Sequence, residues 1–134
     1  MTNTLAARKY SQVGVASQGV NASPSRLVMM LLEGAISRIG AGYAAISGND
    51  FAGKSRELNK AIDIVAGLRA SLDFEKGGKI AKNLSNVYLF VEQSLITVIA
   101  SNDLKLLAEC RNNLSTIREG WTAVVNQYDQ PSEA

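Results

Sequence analysis

The sequence predicts an all-α protein, an antiparallel four-helix bundle preceded by an N-terminal arm. Apolar residues recur at steps of three and four along four long segments, which is the spacing of one face of an α-helix. Two of the 134 residues are proline and 46% are hydrophobic, a balance more typical of helical bundles than of β-sandwiches. Short polar connections separate the four segments, and such connections force neighbouring helices to run antiparallel.

The N-terminal arm and the first helix meet at Ser23. Residues 1–22 lack a sustained helical period, and we predict that they form a flexible arm with apolar points such as Tyr10. Ser23-Pro24 then begins the first helix, because serine is a favoured N-cap and proline is favoured at the first helical position. Ser47-Gly48-Asn49-Asp50 ends this helix and caps the next. The apolar residues of the first helix that we expect to face the core, its core stripe, are Val28, Leu32, Ala35, Ile39, Tyr43 and Ile46.

A glycine-containing turn separates the second helix from the third. The second stripe consists of Phe51, Leu58, Ile62, Val65 and Leu72, widened by Ala61 and Leu68. Gly77 and Gly78 then favour a sharp turn, because glycine adopts positive φ at little steric cost. The third helix is predicted from about Lys79 to Ala100. Its core stripe is Ile80, Leu84, Val87, Val91, Leu95 and Val98, with Tyr88 at the edge of that face.

The fourth helix follows the polar break Ser101-Asn102-Asp103. Its stripe is Leu107, Cys110, Leu114, Ile117, Trp121, Val124 and Tyr128. We therefore predict a bundle domain over residues 23–128 and a disordered tail over residues 129–134. The spacing near 3.5 in each stripe predicts a left-handed bundle with shallow crossing angles.

Composition excludes several classes of function. The formal net charge is +2, and the basic residues are scattered, so a nucleic-acid partner is not expected. One cysteine cannot form an internal disulfide. No run approaches the ~20 apolar residues of a membrane span, and Met1 to Tyr10 has no apolar signal-peptide core. These features predict a cytoplasmic protein without membrane insertion.

The residues that could carry chemistry are few. The chain has no histidine, the usual general base and the commonest zinc ligand, so we expect no catalytic site, metal or cofactor. Residues 48–55 match the phosphate-binding pattern G-x-x-x-x-G-K-[ST], with Lys54 and Ser55 at its end. A real nucleotide site needs a strand before this loop, and the period before Gly48 is helical. The nucleotide-hydrolase alternative is therefore disfavoured, and an inter-helix turn is expected.

Several motifs together resemble one known family. They occur in the same order and spacing as in that family, over about residues 8–126. They are Tyr10, Ala22-Ser23-Pro24, Leu27-Val28, Leu31, Glu33-Gly34-Ala35, Lys60-Ala61-Ile62-Asp63-Ile64 with Leu68, Ser71-Leu72-Asp73-Phe74-Glu75-Lys76-Gly77-Gly78, Ala81 with Asn83-Leu84, Tyr88, Asn102-Asp103 and Ile117-Arg118-Glu119-Gly120-Trp121. The sequence thus resembles the flagellar secretion chaperones, the flagellin-specific export chaperones of bacteria.

The resemblance implies a function and a set of binding residues. It implies a cytoplasmic chaperone that binds the disordered C-terminal segment of flagellin, prevents premature polymerisation and delivers it to the flagellar type III export gate. Contacts with the export gate itself, contacts with a flagellar regulatory protein, and weak self-association without client are left open. The partner-binding residues carried over are Tyr10, Ile62, Leu68, Leu72, Tyr88 and Leu95. The alternative is a helical adaptor that binds another flagellar component.

Overall fold

Four α-helices make up the described chain. The computed structural model describes residues 23–128, and side chains within 23–123; the predicted arm with Tyr10 and the predicted tail lie outside these residues. The helices are α1 (Pro24–Ser47), α2 (Phe51–Ala70), α3 (Phe74–Ser101) and α4 (Leu104–Tyr128). Helices α1 and α3 each pack against both α2 and α4. The predicted all-α four-helix architecture is confirmed.

Each helix begins at a polar side chain that accepts a hydrogen bond from the first turn. Ser23 Oγ accepts from the Arg26 amide at 3.3 Å. Aspartates do the same for the other three helices, with Oδ1–N distances of 2.9 Å at Asp50, 3.0 Å at Asp73 and 3.1 Å at Asp103. These bonds satisfy amides that have no partner inside the helix. The helix starts predicted at Ser23 and Asp50 are therefore confirmed.

Helix α3 begins earlier than the sequence predicts. Asp73 caps an additional turn that starts at Phe74, and the Gly77 amide donates to the Asp73 carbonyl at 2.8 Å. Gly78 then interrupts the helix with φ 49° and ψ −124°, a conformation that glycine adopts far more readily than other residues. The regular part of α3 follows this kink, close to the predicted start at about Lys79.

The core lies between the four helices and contains most of the predicted stripes. Two predicted members are wrong, because Phe51 is 49% exposed and Ile80 is 72% exposed. The kink at Gly78 changes the phase of the helix just before Ile80, and Phe51 is the first residue of α2. The buried cluster consists of Leu31, Leu32, Ala35, Ile39, Ile46, Leu58, Ala61, Ile64, Val65, Leu68, Tyr88, Val91, Leu95, Val98, Leu107, Cys110 and Leu114.

Helices α1 and α3 are more apolar than expected. By length and composition both are long and apolar enough to cross a membrane. In the most apolar 18-residue stretch of each helix, 28% of the residues are buried in α1 and 33% in α3. The core helices of a globular bundle pass the same test. Both helices contribute apolar side chains to the core shared with α2 and α4.

Candidate functional site

An apolar cavity of about 310 Å³ lies at one end of the bundle. At this end α1 begins, α2 ends, α3 begins and the described part of α4 ends, because the helices alternate in direction. The lining combines the ends of all four helices. It consists of Val28, Leu68, Ser71, Leu72, Asp73, Lys76, Gly77, Ile80, Ala81, Leu84, Tyr88 and Trp121.

Two polar side chains on the cavity wall are hydrogen-bonded within the protein. Ser71 Oγ donates to the Leu68 carbonyl at 2.9 Å. Asp73 Oδ1 accepts from the Lys76 amide at 3.0 Å. Apart from Ser71, Asp73 and Lys76 the lining is aliphatic and aromatic carbon, which suits an apolar occupant.

The turn between α2 and α3 forms one wall of the cavity. The first turns of α3 continue this wall, and a Cβ atom on Gly77 would lie 2.7 Å from the Cβ atom of Ala81, so a side chain there would crowd Ala81. The positive φ of Gly78 redirects the chain at the same place. The paired glycines therefore shape the wall, which gives the turn motif a role beyond connecting two helices.

Trp121 links α4 to the start of α1 beside the cavity. Its indole Nε1 donates to the Ser25 carbonyl at 2.7 Å, and the half-buried ring packs against the core. Burial of an aromatic ring with its N–H paired is the common arrangement for tryptophan. Ser23, where the predicted arm of residues 1–22 joins the bundle, lies two residues before Ser25. Ser23, the first described residue, thus lies at the cavity end.

The structure brings together three of the six residues expected to bind a partner. Leu68, Leu72 and Tyr88 line the cavity. Ile62 is half-buried against the core, and Leu95 is fully buried within it; neither belongs to the lining. Tyr10 lies outside the described residues.

Other lining residues were assigned only to core stripes by the sequence. Val28, Leu84 and Trp121 belong to this group. These residues lie near helix ends that meet at one end of an antiparallel bundle. The antiparallel order of the helices, which the sequence predicts, could therefore have placed them beside one another.

Lys54 occupies the opposite end of the bundle. Its Nζ donates to the Ile99 carbonyl and to Asn102 Oδ1, both at 2.7 Å, and lies 5.1 Å from the centroid of the Phe51 ring. Gly53 and Lys54 are inside α2, and helix α1 precedes them. A phosphate-binding lysine follows a strand and a glycine-rich loop. This geometry overturns the nucleotide-hydrolase alternative.

Cys110 is a core residue, as the sequence predicts. The side chain is buried, and burial raises the pKa of the thiol to about 11. The thiol is therefore protonated at neutral pH, and thiolate is the reactive form. Within residues 23–123, no group of three or more Cys, Asp or Glu side chains is placed to hold a metal ion.

Comparison with known proteins identifies one family. Residues 6–128 match the family model described as "Flagellar protein FliS". The chain is 34% identical over 119 residues to the flagellar secretion chaperone FliSB of Pseudomonas aeruginosa, covering 89% of this chain and 94% of the relative. It is 38% identical over 118 residues to the flagellar secretion chaperone FliS of Salmonella typhimurium, covering 87% of each. The corresponding Vibrio cholerae protein is 36% identical over 119 residues, with coverage of 89% and 88%.

Proposed function

This chain belongs to the FliS family of flagellar proteins, and on that basis we propose that it is a cytoplasmic flagellar secretion chaperone. It binds the disordered C-terminal segment of flagellin, prevents premature polymerisation and delivers the segment to the type III export gate. The role requires binding without catalysis, metal or cofactor. The motif resemblance and the names of the curated relatives support this proposal.

The apolar cavity is the observation that carries the proposal. A polymerisation segment that is disordered as a monomer exposes apolar side chains, and their burial offsets the entropy lost on ordering. A volume of about 310 Å³ lies at the small end of ligand pockets, roughly 300–1,000 Å³. It accepts a few apolar side chains, so the rest of the client segment lies along the bundle surface.

Client binding is tested by calorimetric titration of the chain with a peptide of about 40 residues from the flagellin C-terminus. We expect one-to-one binding with a negative heat-capacity change, because apolar surface leaves water. A folded protein that gives no heat with this peptide at any temperature would overturn the flagellin assignment. The adaptor alternative would then account for the fold.

The cavity is tested as the binding site by two matched substitutions. Leu72 and Ile62 are both half-buried aliphatic residues in the same part of the chain, but only Leu72 lines the cavity. We expect Leu72→Ala to raise the client dissociation constant about tenfold, since a buried leucine contributes roughly 1.5–3 kcal/mol. Ile62→Ala should leave it within about twofold. Equal losses in both variants would place the client elsewhere.

Tyr10 is proposed as the anchor by which the arm competes for the cavity. Ser23, where the predicted arm joins the bundle, lies at the cavity end, and the 12 residues between Tyr10 and Ser23 span up to about 40 Å when extended, which is enough to reach the cavity. Tyr10→Ala should leave the melting temperature nearly unchanged and tighten client binding, because the competing anchor is lost. A large fall in melting temperature would instead identify Tyr10 as a core residue.

A further inference from the structure

A segment of eight residues, 73–80, forms part of the cavity wall without a buried side chain of its own. It connects Leu72, which is half-buried against the core, to Ala81, which is buried on α3. Gly77 is partly exposed, and the other seven residues of the 73–80 segment are exposed. Four of its residues nevertheless line the cavity, namely Asp73, Lys76, Gly77 and Ile80. The segment therefore belongs to the cavity wall but not to the core.

The 73–80 segment is held by hydrogen bonds within α3 and its cap. Asp73 Oδ1 accepts from the Lys76 amide at 3.0 Å, and the Gly77 amide donates to the Asp73 carbonyl at 2.8 Å. Among the described residues, no hydrogen bond or ion pair joins the segment to α1, α2 or α4. Local opening costs least free energy where buried contacts and long-range bonds are few. The segment is thus the part of the wall that moves most easily.

Gly78 supplies a point of rotation between the first turn of α3 and the rest of the helix. Its φ is 49° and its ψ is −124°, and a Cβ atom at this position would meet nothing within 4 Å. Backbone conformation rather than lack of space therefore calls for glycine here, and glycine changes between such conformations at the smallest steric cost. Rotation at Gly78 would move residues 74–77 relative to Ala81, where the anchored part of α3 begins.

Two large apolar side chains of the segment are left in solvent. Phe74 is 54% exposed and Ile80 is 72% exposed. Ile80 lies on the cavity lining, whereas Phe74 does not. Apolar side chains beside an apolar cavity gain free energy if the segment moves over an occupant and removes them from water. This position gives the two exposed residues a use that the core does not.

We propose that the 73–80 segment is a lid, which turns about Gly78 and closes Phe74 and Ile80 over the client segment held in the cavity. The inference rests on the proposed function, since the client supplies the apolar surface against which the lid packs. Closure without a client would leave unfilled space behind the lid, and such voids are unfavourable. The client shifts the segment to the closed form because it makes more contacts with that form than with the open one.

Closure after binding acts mainly on how long the client stays bound. The open cavity admits the client, so the association rate does not depend on the lid side chains. The closed lid must reopen before the client leaves, so contacts made by Phe74 lower the dissociation rate. The lid therefore retains the client.

Replacing Phe74 distinguishes a lid from a fixed cavity. Phe74 does not line the cavity in the open form, so a fixed cavity would bind the client equally well without it. We expect Phe74→Ala to raise the dissociation constant of the flagellin peptide about fivefold, measured by calorimetric titration, because part of an aromatic side chain is no longer buried. Its melting temperature should stay close to that of the unmodified chain, since the ring is exposed in the free protein.

The matched control is Phe51→Ala. Phe51 is also the first residue of a helix that follows an aspartate N-cap, and it is 49% exposed. It lies beside Lys54 at the opposite end of the bundle. Phe51→Ala should therefore keep the client affinity of the unmodified chain. Circular dichroism of both variants establishes that they are folded.

Stopped-flow fluorescence tests the movement itself. The chain has one tryptophan, Trp121, and it lines the cavity, so its emission reports binding of a flagellin peptide without tryptophan. If the lid closes after the client enters, the observed rate should rise with peptide concentration and then level off at the rate of closure. Phe74→Ala should speed dissociation about fivefold and leave the initial slope unchanged.

The outcomes separate this proposal from the one on which it rests. Equal affinity of Phe74→Ala and the unmodified chain would overturn the lid and leave the proposed function standing. Weaker binding by Phe74→Ala, together with a rate that stays linear in peptide concentration, would also overturn the lid, because Phe74 would then belong to a fixed contact surface. A folded, unmodified chain that does not bind the peptide would overturn both.

Discussion

At the scale of single residues, Lys54 is an unusual case, a lysine with 7% of its surface exposed. Its two hydrogen bonds join the start of α2 to the end of α3 and to the turn that follows. Hydrogen bonds of a charged donor contribute about 1.5–3 kcal/mol, and buried acceptors left without a partner add a cost. The ammonium group thus ties together three segments at one end of the bundle.

Lys54→Met should lower the free energy of unfolding by about 2–3 kcal/mol, since it keeps the aliphatic stem and removes both hydrogen bonds. Urea denaturation measures this loss. Lys105→Met is the matched control, because Lys105 is exposed on α4, and it should be nearly neutral. Equal stability of the two variants would contradict the structural role assigned to Lys54.

Trp121 acts in a similar way at the cavity end. Trp121→Phe keeps an aromatic ring but removes the Nε1 hydrogen bond to the Ser25 carbonyl. We expect a loss of about 1 kcal/mol in unfolding free energy, measured by urea denaturation. An unchanged midpoint would mean that water replaces the indole as the donor to Ser25.

At the scale of helices, close packing of α1 on α2 depends on Gly42. A Cβ atom at this position would lie 2.8 Å from Leu58 Cγ, whereas a Cβ atom on Gly40 of the same helix meets nothing within 4 Å. Gly42→Ala should therefore destabilise the protein by roughly 1–3 kcal/mol through overpacking. Gly40→Ala should stabilise it by up to about 1 kcal/mol, since alanine is the better helix former. Thermal denaturation of both variants tests this difference in sign.

An ion pair between α1 and α2 should make stability depend on pH. Arg38 Nη1 donates to Glu57 Oε1 at 2.9 Å, and this hydrogen bond lowers the pKa of Glu57 below its ordinary value. The stabilisation is therefore present above the ordinary glutamate pKa and is lost as the pH falls through the lowered value. Glu57→Gln should cost stability at neutral pH, and the cost should shrink as the solution is acidified. Urea denaturation across a pH series measures it; a cost that is constant with pH would assign the effect to packing.

The helices could be predicted from sequence because their starts and apolar periods are local. Ser23, Asp50 and Asp103 cap the helices where their residue type indicates. The orientation of Ile80 could not be predicted, because it depends on the backbone angle of one glycine, Gly78. The apolar spacing after Gly78 is the same whether or not the helix is kinked there, so it does not show which side of the helix Ile80 faces.

At the scale of the whole molecule, the candidate site could be predicted only in part. Leu68, Leu72 and Tyr88 line the cavity, whereas Leu95, another apolar residue of a predicted core stripe, is buried away from it. A single sequence does not distinguish these two outcomes, because both kinds of residue lie on wide apolar stripes. Which of them reaches the cavity is decided by distance from the end of the bundle.

The position of Lys54 has a consequence for how the bundle opens. Its hydrogen bonds close the end of the bundle that lies opposite the cavity. Backbone amides near Ile99 and Asn102 should therefore exchange with deuterium slowly, while those near Leu72 and Leu84 exchange faster, because local opening begins where packing is sparse. Such a difference in exchange rates would mean that the cavity end opens locally while the end held by Lys54 stays closed.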